Sequence, residues 1–310
     1  MIVGAGLAGL IAAHIFPNIP IVEASPEPRS AHKALLRFRS SVVGDLVGID
    51  FRPVTVRKAI SMDGEFISPN ILAANLYAQK VTGRLVNRSI WDIEPAQRWI
   101  APEDFYEQLI DKLRPRITWD YEVDFGARHA AARRELKPVI NTAPLPMVLG
   151  SLNWFKDRPA VAVLDFAREP ILVERFRIPG ADVHQTIYFP SPETSLYRAS
   201  ITGDLLICES IARRAMEAQM PQEVAAQAFG IDVAALDPIE AVHQSFGKIA
   251  PIDAVARKSL LAALTAEHNI FSLGRFATWR NVLLDDVVQD ARVIKRLMTA
   301  ATYERRLSSI

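Results

Sequence analysis

The sequence predicts an α/β fold: a Rossmann-like, parallel-sheet domain carrying an inserted, mainly antiparallel sheet. Three observations predict it. A glycine-rich turn joins a short apolar strand to an apolar helix at the start of the chain. Short strands separated by turn residues crowd residues 151–210. A strand, a turn and a helix follow one another from Asn269 to Leu297.

The first element is the most specific. Ile2-Val3 reads as a very short buried strand, Gly4-Ala5-Gly6-Leu7-Ala8-Gly9 as a turn, and Leu10 to Phe16 as a helix. Pro17 and Pro20 punctuate the connection to a second strand, Ile21-Val22-Glu23, with Ala24 after it. In that order Gly4 permits the tight turn, Gly6 lets backbone approach a pyrophosphate, and Gly9 lets the helix pack close to the sheet. Phosphates then sit at the helix N-terminus, over Leu7 and Ala8, where unpaired N–H groups and the dipole favour negative charge. Glu23, 19 positions after Gly4, falls where an acid accepts from a ribose hydroxyl. Dinucleotide binding is the expected role; the alternative is a glycine turn in an ordinary α/β protein.

The turn alone does not choose between NAD and FAD. A compact run of further βαβ units is missing, because residues 24–60 hold a basic stretch (Arg29, His32, Lys33, Arg37, Arg39) and then a strand-like Phe51 to Val56. Such an interrupted connection favours FAD, and the acid at Glu23 disfavours a 2′-phosphate.

Along the middle, Ala101 to Leu113 reads as a helix, with Pro102 near its first turn and Phe105, Leu109 and Leu113 at helical spacing. Ile117 to Val123 reads as a strand by alternation, and Lys137 to Thr142 as a buried strand stopped by Pro144. Val161–Leu164, Ile171–Val173, Thr186–Phe189 and Asp204–Cys208 are the expected short strands of the insertion, and 211–238 the expected alanine-rich helical part. The cofactor domain is accordingly placed at 1–60, 101–150 and 246–310, and the substrate domain at 61–100 and 151–245.

Composition narrows the function. Half of the 310 residues are hydrophobic and 23% are charged, which suffices for a sizeable core and excludes disorder. Thirty-six basic against 35 acidic side chains leave a net charge of +1, so the case for nucleic acid rests on local patches such as Arg29–Arg39 or Arg128, Arg133 and Arg134. One cysteine excludes a disulfide framework, a Cys-rich zinc site and a Cys-x-x-Cys pair. His184, His243 and His268 lack metal-ligand spacing, and no metal is expected. No apolar run reaches the ~18–20 residues of a membrane span. The fold signal begins at Ile2, leaving no room for a secretory signal, and a cytoplasmic location is expected. Hydrolase, metalloprotease and triphosphatase motifs are missing.

The last motif is Asn269 to Ser272, a strand, then Leu273-Gly274-Arg275-Phe276-Ala277-Thr278-Trp279-Arg280, then a helix beginning near Leu284 with Asp285 and Asp286 in its first turn. Together with the N-terminal glycine motif it resembles the glutathione-reductase-like FAD oxidoreductases, in their amine oxidase and UDP-galactopyranose mutase branch. The resemblance implies that Gly4, Gly6, Leu7, Ala8, Gly9, Glu23 and Ala24 hold the ADP half of a noncovalent FAD. It also implies that backbone at Val123 meets adenine, Thr142 lies beneath the ribose, and Gly274 and Arg275 hold the ribityl chain. Leu284 and Asp285 then open the helix aimed at the flavin pyrimidine, where its positive end suits the charge of reduced flavin. The family's Gly-Gly-Arg is absent; Leu35-Leu36-Arg37 is the nearest substitute, which makes Arg37 the candidate pyrophosphate contact. Residues 151–245 match in general pattern alone. Cys208, in an apolar strand, reads as a buried thiol rather than a flavin link.

Lys248 and Tyr188 are the candidate catalytic residues: Lys248 precedes the last cofactor segment, and Tyr188 lies on the expected substrate sheet with Tyr197 and Arg198. Trp279 and Arg280 are candidates for capping the flavin ring. The resemblance favours oxidation of an amine C–N bond or an adjacent C–H bond in a small molecule. Redox-neutral, mutase-like chemistry, flavin chemistry on an amino-acid-modified thymine in phage DNA, and a non-catalytic flavin scaffold are the alternatives.

Overall fold

A computed structural model describes residues 1–27, 37–86, 90–131, 137–211 and 219–307, with the side chains of 129–131 and 301–307 left aside. In chain order its strands are β1 (Ile2–Val3), β2 (Ile21–Val22), β3 (Arg37–Phe38), β4 (Arg52–Met62), β5 (Glu65–Ile67), β6 (Ala96–Ile100) and β7 (Ile117–Thr118). They continue as β8 (Val139–Asn141), β9 (Arg168–Arg177), β10 (Val183–Tyr188), β11 (Leu196–Gly203), β12 (Leu205–Ile211), β13 (Asp237–Ile249) and β14 (Ile270–Ser272).

Five of them form a parallel sheet in the order β14-β8-β1-β2-β7. Each is only two or three residues long, so its stability comes from the layers on both faces. Alternation assigns those faces: Ile2, Ile21, Ile140 and Phe271 are buried against the first helix (Leu7–Ile15), the helix Phe105–Leu113 and the last helix (Leu284–Leu307). Val3, Val22, Val139 and Ile270 are buried on the other side, against Leu149, Trp154, Leu260, Leu264 and Trp279. The helix Ala254–His268 on that side is started by Asp253, whose carboxylate accepts from Ala256 N at 2.8 Å. The sheet therefore draws strands from both ends and the middle of the chain.

The second sheet runs β13-β9-β12-β11-β10-β4-β6-β3, with β5 paired to β4. Apart from the parallel β4–β10 pair, its pairings are antiparallel. It bends at β4, whose first half pairs with β6 and whose second half pairs with β10. The bend is sharp enough for Arg37, on the edge strand β3, to hydrogen-bond residues of β10 and β11. In a flat sheet β10 would lie three strand spacings, about 14 Å, away. The helix Ile71–Thr82, capped by Asn70 and ended by Gly83 at φ +68°, lays Ala73, Tyr77 and Val81 against Ile60, Val173, Tyr197 and Ile207. The helix Pro221–Phe229 covers the opposite face at Leu206, Cys208 and Ala199.

Two expectations are corrected. Val161 and Ala162 form part of a short helix, Pro159–Ala162, and not a strand: Pro159 sits at its first position, where its fixed φ suits a helix and its missing N–H costs nothing. The strand expected over Ile117 to Val123 ends at Thr118, because Asp120 adopts φ +54° and turns the chain. No helix among the described residues is long and apolar enough to cross a membrane.

Candidate cofactor site and the facing sheet

The three glycines of the first turn have three different surroundings. Gly4 takes φ +100°, and a Cβ there would lie 2.4 Å from Thr142 Oγ1. A Cβ on Gly9 would lie 1.9 Å from the carbonyl oxygen of Gly4. Both glycines are thus required by the protein's own packing. A Cβ on Gly6 would meet nothing within 4 Å, and Gly6 is the N-cap of the first helix, with no side chain bonded to that helix end and no acid in its first turn. The leading N–H groups of such a helix have no intrahelical partner. A bare, positive helix end with open space at its cap fits a phosphate.

Around this turn the other candidates assemble. Glu23 accepts from Ala5 N at 2.7 Å and Ser25 N at 3.0 Å, so the acid fixes the turn, and Ala24 beside it is exposed. Thr142 donates to Val3 O at 2.7 Å directly beneath Gly4. Val123 is half-buried after the Asp120 turn.

The late motif closes on the same place. Gly274 has φ +86°, and a Cβ on it would come within 2.9 Å of Ala8 Cβ, so the two glycine segments are in contact although 266 positions separate them. Arg275 reaches the other way and donates to Gly247 O at 3.3 Å, next to Lys248. Leu284 opens the last helix half-buried, and Asp285 is 6% exposed. The Asp285 carboxylate accepts from Ser40 N at 3.0 Å, Ser40 Oγ at 2.9 Å and Arg39 N at 3.2 Å. That ties the segment after β3 to the start of the last helix.

The Arg37 side chain is engaged by the second sheet. Its guanidinium donates to Thr186 Oγ1 (2.8 Å), Thr202 Oγ1 (3.0 Å), Gln185 O (3.2 Å) and Ile201 O, all on β10 and β11. The sequence substitute for the missing Gly-Gly-Arg is thus a strut of the second sheet. Burial, then the neighbouring guanidinium groups of Arg198 and Arg98, bring its pKa down to about 9.

The same face of that sheet carries Tyr188, Arg198, Glu209 and Lys248. Glu209 accepts from Tyr197 OH at 2.9 Å and from Arg198 Nε, and Lys248 Nζ lies 4.3 Å from the centre of the Tyr197 ring. Burial raises a carboxylate, but Arg198, Lys248 and the two hydrogen bonds outweigh it and hold Glu209 down to about 2. Burial and the Glu209 charge push the Tyr197 phenol up. Tyr188 meets Tyr77 edge-on at 5.6 Å. Glu209 escaped the sequence reading; its signal was a lone acid inside the apolar run Leu205–Ile211.

Other candidates take structural roles. Trp279 is 1% exposed, and its Nε1 donates to Ala250 O at 3.0 Å, so its ring lies in the core; Arg280 pairs with Asp290. His268 is buried beside Trp154, and His184 lies against Arg52 and Asp182. Arg128 donates to the carbonyls of His268 and Lys137. Cys208 is buried, and burial pushes its thiol pKa far up. Arg29, His32, Lys33, Arg133 and Arg134 lie outside the described residues.

This combination, a Rossmann-like parallel sheet completed by both ends of the chain beside a curled, mostly antiparallel sheet, is one that known structures share. No family model and no curated protein matches the sequence. Among solved structures, the chain is similar to reduced UDP-galactopyranose mutase, with a TM-score of 0.66 over 97% of this chain and 94% of that one at 14% identity. It is also similar to a CLA-producing fatty acid isomerase from P. acnes, with a TM-score of 0.57 over 95% and 97% of the two chains at 12% identity. At these identities the likeness is one of fold.

Proposed function

We propose that this protein is an FAD-dependent enzyme that holds its cofactor noncovalently. The observation that carries the reading is the contact of Gly274 with Ala8 beside the open cap at Gly6. In this reading the pyrophosphate lies on the helix end formed by Gly6, Leu7, Ala8 and Gly9, over the turn at Gly4. Glu23 and Ala24 meet the adenosine ribose, Val123 the adenine, and Thr142 supports the turn from below. Gly274 and Arg275 follow the ribityl chain, and the last helix points its start, Leu284 and Asp285, at the pyrimidine edge. The bound flavin supplies two-electron redox chemistry, so the protein's part is to bind, orient and exclude water.

The substrate is a small molecule lying between that site and the sheet face that bears Lys248 and Tyr188. Oxidation of an amine C–N bond, or of an adjacent C–H bond, is the reaction favoured by the sequence resemblance. A redox-neutral rearrangement is the second reading, favoured by the fold likeness to a mutase and an isomerase. Purified protein is expected to be yellow, or to take up FAD on reconstitution. Colourless, well-folded protein that refuses FAD defeats the proposal. Anaerobic bleaching by an amine, with peroxide on aeration, selects oxidation; product formed only after dithionite reduction selects the rearrangement.

A further inference from the structure

We infer that the substrate carries an oxyanion, a carboxylate or a phosphate, received by the guanidinium of Arg198, with Glu209 as the residue that positions it. The inference rests on the FAD reading for the location of the substrate. It begins with how Arg198 is held. Glu209, 8% exposed, takes the Nε edge of the guanidinium with one oxygen and the Tyr197 hydroxyl with the other. The two terminal nitrogens make no hydrogen bond to a described residue, and 28% of the side chain stays open. An arginine pinned at Nε with its fork open is prepared for a planar or tetrahedral oxyanion.

The charges around it point the same way. Arg37 and Arg98 act electrostatically on the same region, and Lys248 Nζ sits over the Tyr197 ring beside Glu209. Against these four cations stand Glu209 and Glu169, which faces Lys248 across the β9–β13 pair. Glu103 and Glu240 are engaged by Arg175 and Arg177, further along the sheet. Arg37 itself bonds hydroxyl and carbonyl oxygens, which carry no formal charge. An anion bound at the open part of Arg198 relieves the repulsion among the guanidinium groups, whereas an amine with no anionic group meets like charge.

Two ties link this sheet face to the proposed cofactor site. Arg37 bonds the strands that carry Arg198 and Tyr188, and two residues later the chain begins donating to Asp285 at the start of the last helix. Arg275 bonds Gly247 O, adjacent to Lys248.

The test is calorimetric titration of the FAD-reconstituted protein with sodium benzoate and, separately, inorganic pyrophosphate. At least one probe should saturate a single site on the wild type. Benzoate alone identifies a carboxylate and pyrophosphate alone a phosphate. Arg198→Met should weaken binding about tenfold or more, and Glu209→Gln several-fold. Arg198→Lys, which keeps the charge but loses the fork, should fall between wild type and Arg198→Met, and it serves if Glu209→Gln does not fold by circular dichroism. Absence of saturable binding to flavin-loaded wild type, or wild-type affinity in Arg198→Met, overturns the inference. Protein that binds the probes through Arg198 but takes up no FAD refutes the cofactor reading instead and leaves the anion site standing.

Discussion

At the start of the chain the walls of the candidate site are backbone: Gly4, Gly6 and Gly9 have no side chains, and what is presented is a bare helix end. In the curled sheet the proposed anion site is made of side chains, Arg37, Arg198, Glu209 and Lys248, drawn from β3, β11, β12 and β13. The first arrangement works by leaving atoms out, so its residues stand within six positions of one another. The second works by balancing charges in a partly dry space, so its members come from strands more than 200 residues apart. A binding surface made of backbone is tolerant of its surroundings, whereas one made of buried charge is only as stable as its least replaceable partner.

The largest expected effect tests that contrast. Glu209→Leu leaves Arg198 and Lys248 without their shared carboxylate and should lower unfolding stability by about 3–5 kcal/mol in denaturant titrations. Because folding lowers the Glu209 pKa from 4.5 to about 2, its stabilisation is full above pH 4.5 and is lost as pH falls towards 2. Glu209→Gln should flatten that part of the stability–pH curve; an unchanged curve would show that the carboxylate is not charged as described. Next comes Gly9→Ala, expected to cost about 3 kcal/mol, the upper end for overpacking, because the obstructing atom is a backbone oxygen.

Asp285→Ala removes three hydrogen bonds to the Arg39–Ser40 segment and should cost about 2 kcal/mol, read as a lower melting temperature. Gly6→Ser separates binding from folding. Its side chain meets open space and gives the helix a better cap, so stability should hold or rise by a few tenths of a kcal/mol. FAD affinity should nevertheless fall about tenfold, because the added atoms occupy the space read as the phosphate's. Parallel loss of both would return Gly6 to an ordinary packing role. Arg39→Ala removes an exposed pair with Asp286 and should change stability by less than about 1 kcal/mol.

The same contrast explains what was legible. The glycine turn and the Gly274 turn were readable as turns because each depends on local backbone geometry that few residues satisfy, whereas the bonds Glu23 makes to Ala5 N and Ser25 N were not. The strands of the insertion were readable by composition, except at Val161–Leu164, where Pro159 starts a helix through a run that β-propensity alone favours as strand. The role of Arg37 was not readable. Its place after the second strand suggested a phosphate contact, but the bend at β4 brings Thr186 and Thr202, 149 and 165 residues away, within its reach. Glu209 was visible as an oddity, an acid in an apolar strand, but only tertiary structure supplies Tyr197 and Arg198 as its partners.

The register of β14 beside β8 has a bearing on biosynthesis. A ribosome delivers β1, β2, β7 and β8 within the first half of translation, yet the outer edge of β8 stays bare until residues 270–272 emerge. At ~5–20 residues per second, that interval between Asn141 and Ile270 lasts on the order of ten seconds. Throughout it the nascent polypeptide carries an unpaired, apolar edge, and a product ending before Leu273 would lack the Gly274 turn that meets Ala8.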